Sequence, residues 1–346
     1  MKNKTVSFIL VAFALFTQAQ TLTTDQLGED YHLFKSSIQE IHPGLYWYAD
    51  SMEIERRFQK IASSINEPME LREFYTRLQL FYASIGCGHS WMSMPWSWRK
   101  ELDEGPYRIP INFFLENDKI LTFRNLTDNL IIEGGLEVKS INGISSDRLL
   151  DSLKQMTPTD GFIQTRRIEI LSGNFSRYYQ AVFGMDSVFN LVLSDGSVER
   201  EINVKGLTNE EANERHEENY GHLKRERKPY LYFENMDEVG YLKIGTFDNE
   251  SIKNGDQNYK RFLKETFSRL KAENTEKLII DLRGNSGGED SFGATLARYL
   301  LDEEFDYYKR MEAVTDKFRY NKYSPQRGFN TIAILLKKDK EKPGTF

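Results

Sequence analysis

This chain of 346 residues holds a single cysteine, Cys87, so no intrachain disulfide can form and stability must come from packing. After its first twenty residues it has no apolar run approaching the length that spans a bilayer. Neither sign of charge dominates: 46 Lys and Arg against 52 Asp and Glu leave a formal net charge of −6, which gives no support to nucleic-acid binding. The basic run Lys224 to Lys228 is interrupted by Glu226 and reads as solvated linker. Histidine is scarce as well. Of the five, His216 and His222 lie six apart, off a common helical face, with no cysteine or close carboxylate to complete a ligand set. Both read as solvent-exposed, and a metal site between them is not expected.

What is present, 39% hydrophobic and 28% charged residues, describes a globular protein with room for two or three domains. Met1 to Gln20 carries two early lysines, an apolar core from Val6 to Phe16 and small residues at Thr17 and Ala19, the pattern of a cleavable secretion signal. No cysteine stands beside the cleavage region to take a lipid. The expectation is an exported protein of a bacterial periplasm or cell envelope, with no stable membrane insertion after cleavage.

Residues 21–100 read as a helical N-terminal domain. Thr24-Asp25 can cap a helix whose apolar positions Leu27, Tyr31, Phe34, Ile38 and Ile41 recur at three- and four-residue intervals, stopping at His42-Pro43-Gly44. Further amphipathic stretches run from about Met52 to Ile65 and from Met69 to Ser84. Trp91, Trp96 and Trp98, with Met92, Met94 and Pro95, read as an aromatic-rich strand, a sheet-packing element with the option of a substrate-facing wall. Residues 105–207 alternate with period two and carry Asn-Gly and Asp-Gly turns, a β-rich module. Within it, Gly135 to Gly143 followed by a helix from Ser146 resembles the strand, turn and helix of a PDZ domain, which captures an extended peptide along a sheet edge. A generic β-rich spacer is the other reading. Residues 208–229 read as a charged linker, helical or flexible. From residue 230 to 346, strands and helices alternate as in an α/β layer with crossover connections.

The most informative stretch is Lys277 to Ser291. Leu278, Ile279 and Ile280 read as a strand covered on both faces, which ends in Asp281-Leu282-Arg283 and breaks into Gly284-Asn285-Ser286-Gly287-Gly288 before a helix. Paired glycines let amide N–H groups converge at a helix start, where they can bind a developing oxyanion. Asp281, Arg283 and Asn285 read as scaffold holding those amides, and Ser286 as a small turn residue.

That turn, together with Tyr241 to Phe247 upstream, resembles the core of the tail-specific (C-terminal processing) and tricorn-like serine peptidases. The resemblance implies an incomplete α/β core of Clp-protease/crotonase-like type over residues 230–346, preceded by the helical domain and the PDZ-like module. It implies an oxyanion-hole amide at Gly287 or Gly288, and a candidate general base at His89, in the turn Ile85-Gly86-Cys87-Gly88-His89-Ser90. The His42-Pro43 pair near the first helix fits the same pattern. Cys87 reads as a small buried residue. In this family the nucleophile sits in a Gly-Thr-x-Ser-Ala turn after the next strand, here Thr331 to Leu336. It is therefore expected just beyond Phe346, which would leave these 346 residues inactive by themselves; Ser-His and Ser-Lys mechanisms both stay open. The function implied is an exported serine endopeptidase acting on protein or peptide substrates, with a mechanism that needs no metal or organic cofactor. The alternatives are a non-catalytic exported peptide-binding protein and, more remotely, a crotonase-like acyl-thioester enzyme.

Overall fold

Thr23 and Gln26 start the first helix reciprocally. The Thr23 hydroxyl accepts from the Gln26 N–H at 3.3 Å while the Gln26 side-chain oxygen accepts from the Thr23 N–H at 3.0 Å. The cap thus lies one residue before the Thr24-Asp25 pair favoured by the sequence. The computed structural model describes residues 20–223, 229–236, 238–309, 314–315 and 319–320, and it is a mixed α/β fold. The signal segment, the basic run 224–228 and the expected strand 331–336 lie outside those residues. Among the described residues one unit takes in 20–221 with 314, 315, 319 and 320, and the other 222–309.

In the first unit, α1 (Thr24–Ile41), α2 (Ser51–Ala62) and α3 (Leu71–Ile85) share one apolar core, and a two-stranded ribbon of β1 (Thr21–Leu22) and β2 (Met69–Glu70) ties the start of α1 to that of α3. Phe58 stacks on Phe81 with ring centroids 4.2 Å apart, and Phe34 meets both edge-on. The tryptophan segment differs from the sequence expectation. Pro95 ends an irregular stretch and α4 (Trp96–Glu104) follows, because proline fits just outside a first helical turn and cannot donate within a sheet. Only Trp98 of the three is buried, edge-on to Tyr75; Trp91 and Trp96 are exposed.

An antiparallel sheet follows. Its strands β3 (Ile111–Glu116), β4 (Lys119–Asn125), β5 (Glu137–Ile141), β7 (Val188–Ser194) and β8 (Glu199–Lys205) lie side by side in that order, and β6 (Ile144–Ser145) hairpins onto β5. Asn142 and Gly143 both take positive φ, 49° and 75°, as a two-residue hairpin turn demands. Helices α5 (Ser146–Met156) and α6 (Gln164–Phe183) bury one face of the sheet through Leu149, Leu153, Leu171 and Phe175. Along β3 and the residues just before it, Ser176 Oγ accepts from the Ile109 N–H at 2.9 Å and Ser172 Oγ from the Leu115 N–H at 3.1 Å. The opposite edge, β8, carries Glu199, Arg200, Glu201 and Lys205, charges that discourage further strand pairing.

Part of the expected linker is α7 (Asn209–Tyr220), closed by a capping box between Thr208 and Glu211. It is anchored to the rest of its unit: Ala212 is fully buried, Arg215 pairs with Asp128, and Tyr220 Oη accepts from the Asn125 N–H at 2.9 Å. His216 is therefore half-buried and bonded to Arg124, not solvent-exposed as its polar surroundings suggested; His222 is exposed.

In the second unit, β9 (Leu231–Met236) pairs antiparallel with β10 (Val239–Ile244), and β10 pairs parallel with β11 (Lys277–Asp281) through the crossover helices α8 (Asn249–Asn254) and α9 (Tyr259–Ala272). The last helix, α10 (Asp290–Leu300), lays Phe292 flat on Tyr259 at 4.2 Å. β11 is an edge strand among the described residues, and Ile279 is 53% exposed. The expectation that Leu278 to Ile280 are covered on both faces is corrected accordingly: Leu278 and Ile280 pack on the core of this unit, whereas Ile279 on the opposite face is exposed.

Candidate functional site

The glycine turn is built from the strand end outward. Asp281 is nearly buried at the end of β11, where it accepts from Arg283 N–H and Nε at 2.9 Å each, from Tyr241 Oη at 2.5 Å and from Lys243 Nζ at 3.1 Å. Arg283 above all, then Tyr241, hold its carboxyl far below the usual carboxylate range. Asn285 fastens the next step: its Nδ2 donates to the Ile244 carbonyl at 3.1 Å and its Oδ1 accepts from the Gly287 N–H at 2.8 Å. Gly287 and Gly288 take φ of 99° and 144°, closed to most side chains. At Gly288 the constraint is also spatial, since a Cβ there would lie 2.1 Å from the Phe247 carbonyl carbon. The turn is clamped on that strand extension: Phe247 N–H donates to the Gly287 carbonyl at 3.0 Å and Glu289 N–H to the Phe247 carbonyl at 2.9 Å.

The two glycine amides are thus unequal. Gly287 N–H is engaged by Asn285, whereas Gly288 N–H has no acceptor among the described residues. Beside it α10 begins without a side-chain cap: among its first amides that of Phe292 donates to the Glu289 carbonyl at 2.9 Å, and the positive end of the dipole stays available to an anion.

His89 is presented from the first unit. α3 ends at Gly86, whose φ of 77° turns the chain sharply out of the helix. Two rungs then fasten the turn to the loop after α5: Gly161 N–H donates to the Gly86 carbonyl at 2.8 Å, and Gly88 N–H to Asp160 Oδ1 at 2.7 Å. Buried Gln79 holds both loops from beneath, its Nε2 donating to the Met156 carbonyl at 3.1 Å and its Oε1 accepting from the Met92 N–H at 3.2 Å. His42 Nε2 and Ser90 Oγ are 2.8 Å apart. Burial pushes the His42 imidazole below its ordinary value. The result is a cavity of about 1100 Å³ lined by His42, Trp47, Tyr48, Cys87, His89 and Asp160 among others. His89 is exposed in it and makes no hydrogen bond among the described residues.

With a strand–turn–helix of this form in the second unit, comparison with known families is decisive for that segment. Residues 238–341 match the model of Peptidase family S41. The resemblance to tail-specific peptidases holds there. Over 69 residues the chain is 32% identical to the chloroplastic carboxyl-terminal-processing peptidase 2 of Arabidopsis thaliana, covering 20% of this chain and 12% of that protein. The structure of mature CPAF complexed with lactacystin aligns with a TM-score of 0.50 at 13% identity, over 78% of this chain and 58% of that one. Mature CPAF alone aligns at 0.46 and 13%, over 77% and 56%. The chain therefore spans a small part of the plant relative and little more than half of CPAF, and the likeness to CPAF is one of fold.

The S41 match covers Gly287 and Gly288 but not His89, which lies in the other unit. Within the first unit the structure brings together the His42-Pro43 pair and the Gly86 to Ser90 turn, 48 residues apart at the His42–Ser90 contact. Cys87 is partly buried, packed against the helical core while it lines the cavity, so its reading as a small buried residue is met only in part. Asp160 was not picked out from the sequence. Its only local signal is the turn-forming Thr157-Pro158-Thr159-Asp160-Gly161, since the loop it meets is 72 residues away. Among the described residues no helix is long and apolar enough to cross a membrane.

Proposed function

We propose that this chain belongs to an exported serine endopeptidase of the tail-specific type, acting on protein or peptide substrates. The observation that carries the reading is the S41 match over residues 238–341, within which the Gly288 N–H is left without an acceptor at the uncapped start of α10. In acyl transfer the carbonyl oxygen of the scissile bond gains negative charge as the nucleophile adds, and an amide already oriented toward it stabilises that charge without reorganisation. Gly288 supplies that amide, while Gly287 spends its own on Asn285 to hold the turn. His89 is the general base, accepting the nucleophile's proton and returning it to the leaving amine. Its imidazole carries no competing hydrogen bond, and an Asp160 carboxylate oxygen lies within 4.8 Å of it. The nucleophile is the serine of the Gly-Thr-x-Ser-Ala motif of the family resembled, whose first two residues match Gly344-Thr345 in sequence. The first unit presents the substrate, with the β-rich sheet in a PDZ-like role.

The test is fluorophosphonate labelling of the protein from its native source, followed by mass spectrometry. One labelled serine in the turn after residues 331–336 supports the peptidase reading. A mature mass equal to this chain without its signal, and no labelled serine, overturns it in favour of a peptide-binding protein.

A further inference from the structure

We propose that Cys87, His89 and Asp160 form a binding site for a thiophilic divalent cation of the Zn²⁺ class. The Cys87 Sγ, a His89 ring nitrogen and an Asp160 carboxylate oxygen all lie within 4.8 Å of one another. Donors around a tetrahedral zinc stand about 3.4 Å apart, given bonds of about 2.0 to 2.3 Å, so side-chain rotation of about 1 Å closes the set. Thiolate, imidazole and carboxylate together select zinc over the hard cations magnesium and calcium.

The site is pre-organised by backbone. The two rungs between the His89 turn and the Asp160 loop hold the donors' main chains in register, and the one to Gly88 uses Asp160 Oδ1. Oδ2 has no hydrogen-bond partner among the described residues and faces Gly88, where a Cβ would approach it to 3.2 Å. Neither Cys87 nor His89 has another hydrogen-bond partner among the described residues, so binding breaks no existing bond of either side chain. All three line the same cavity, which gives the ion a way in. On binding, the Cys87 thiol loses its proton to solvent and the sulfur donates as thiolate, while neutral His89 donates its ring lone pair. Three protein donors leave a fourth tetrahedral position for an exogenous ligand. Resting on the reading of His89 as general base, an ion held here withholds the lone pair that must take the serine proton, so occupancy switches that site off.

The experiment uses the full chain with Zn²⁺ alone by equilibrium dialysis, and Co²⁺ as a spectroscopic stand-in. One saturable equivalent of Zn²⁺ is expected, with a sulfur-to-cobalt charge-transfer band on Co²⁺ loading. Cys87→Ala should abolish that band, and Asp160→Asn should weaken binding at least about tenfold. His222→Gln should leave both unchanged, and circular dichroism checks that each variant is folded. No saturable uptake, or uptake and band unaltered in Cys87→Ala and Asp160→Asn, overturns the proposal. Binding is read without any nucleophile. A missing serine label leaves this site standing, and a labelled serine with no zinc uptake sinks it alone.

Discussion

His42 Nε2 lies 2.8 Å from Ser90 Oγ, so the residue that closes α1 holds the loop that carries His89. Its other ring nitrogen, Nδ1, is buried with no partner among the described residues. Burial therefore favours the neutral ring and depresses its pKa from 6.5. The unfolded chain then binds a proton more readily than the folded one. The stability gained from a neutral His42 is fully present above about pH 6.5 and is lost as the pH falls through the folded value. Urea unfolding at about pH 7.5 and about pH 5.5 should show a larger loss of stability in the native protein than in His42→Gln. Equal losses would mean that this residue is not what acid attacks.

Gly287→Ala and Gly288→Ala should separate strain from collision. At Gly287 an added Cβ meets nothing within 4 Å, so only the positive φ of 99° is penalised, by about 1 to 3 kcal/mol. At Gly288 the same methyl lies 2.1 Å from the Phe247 carbonyl carbon, and the clamp between the turn and Phe247 must open. Gly288→Ala should be the more destabilising of the two by thermal unfolding; the reverse order would contradict the described turn.

Gln79→Leu removes one side chain and strands two backbone groups, the Met156 carbonyl and the Met92 N–H. A loss of about 1 to 3 kcal/mol is expected, since each buried group loses its partner. Faster amide exchange should be confined first to the residues around 86–92 and 157–161. Uniform exchange across the helices would show that Gln79 serves global packing instead.

Phe81→Ala should cost about 3 to 5 kcal/mol, the range for emptying an aromatic site in a close-packed core. Phe81 stacks on Phe58 and meets Phe34 edge-on. Denaturant midpoints with an unchanged slope would confirm the effect as a cavity.

Much of this was legible because it is local. The glycine turn announces itself through residues that alone tolerate its dihedrals, and the bonds Asn285 and Asp281 make are to groups within the turn or on the paired strand. The hairpin at Asn142-Gly143 and the stop of α1 before Pro43 follow the same logic. What stayed hidden depends on contacts across the chain. Asp160 gains its role only through a loop 72 positions earlier. α7 looked like solvated linker because a helix held by Arg215, His216 and Tyr220 has hardly any apolar stripe to display. The tryptophans suggested a strand by type, yet Pro95 placed them at a helix start. Leu278 to Ile280 spelled a doubly covered strand, whereas only the face of Leu278 and Ile280 meets packing partners, and Ile279 is left exposed.

Ser172 and Ser176 stand four residues apart on α6, and their hydroxyls occupy the Leu115 amide of β3 and the Ile109 amide just before that strand. A growing fibril or a misfolded neighbour can template on the β3 edge only after α6 has come away. The barrier to aggregation on that side is thus the docking of a helix rather than the strength of a strand. Loosening α6, for instance at its non-helical Asn174, would make the chain prone to self-association before it lost its fold.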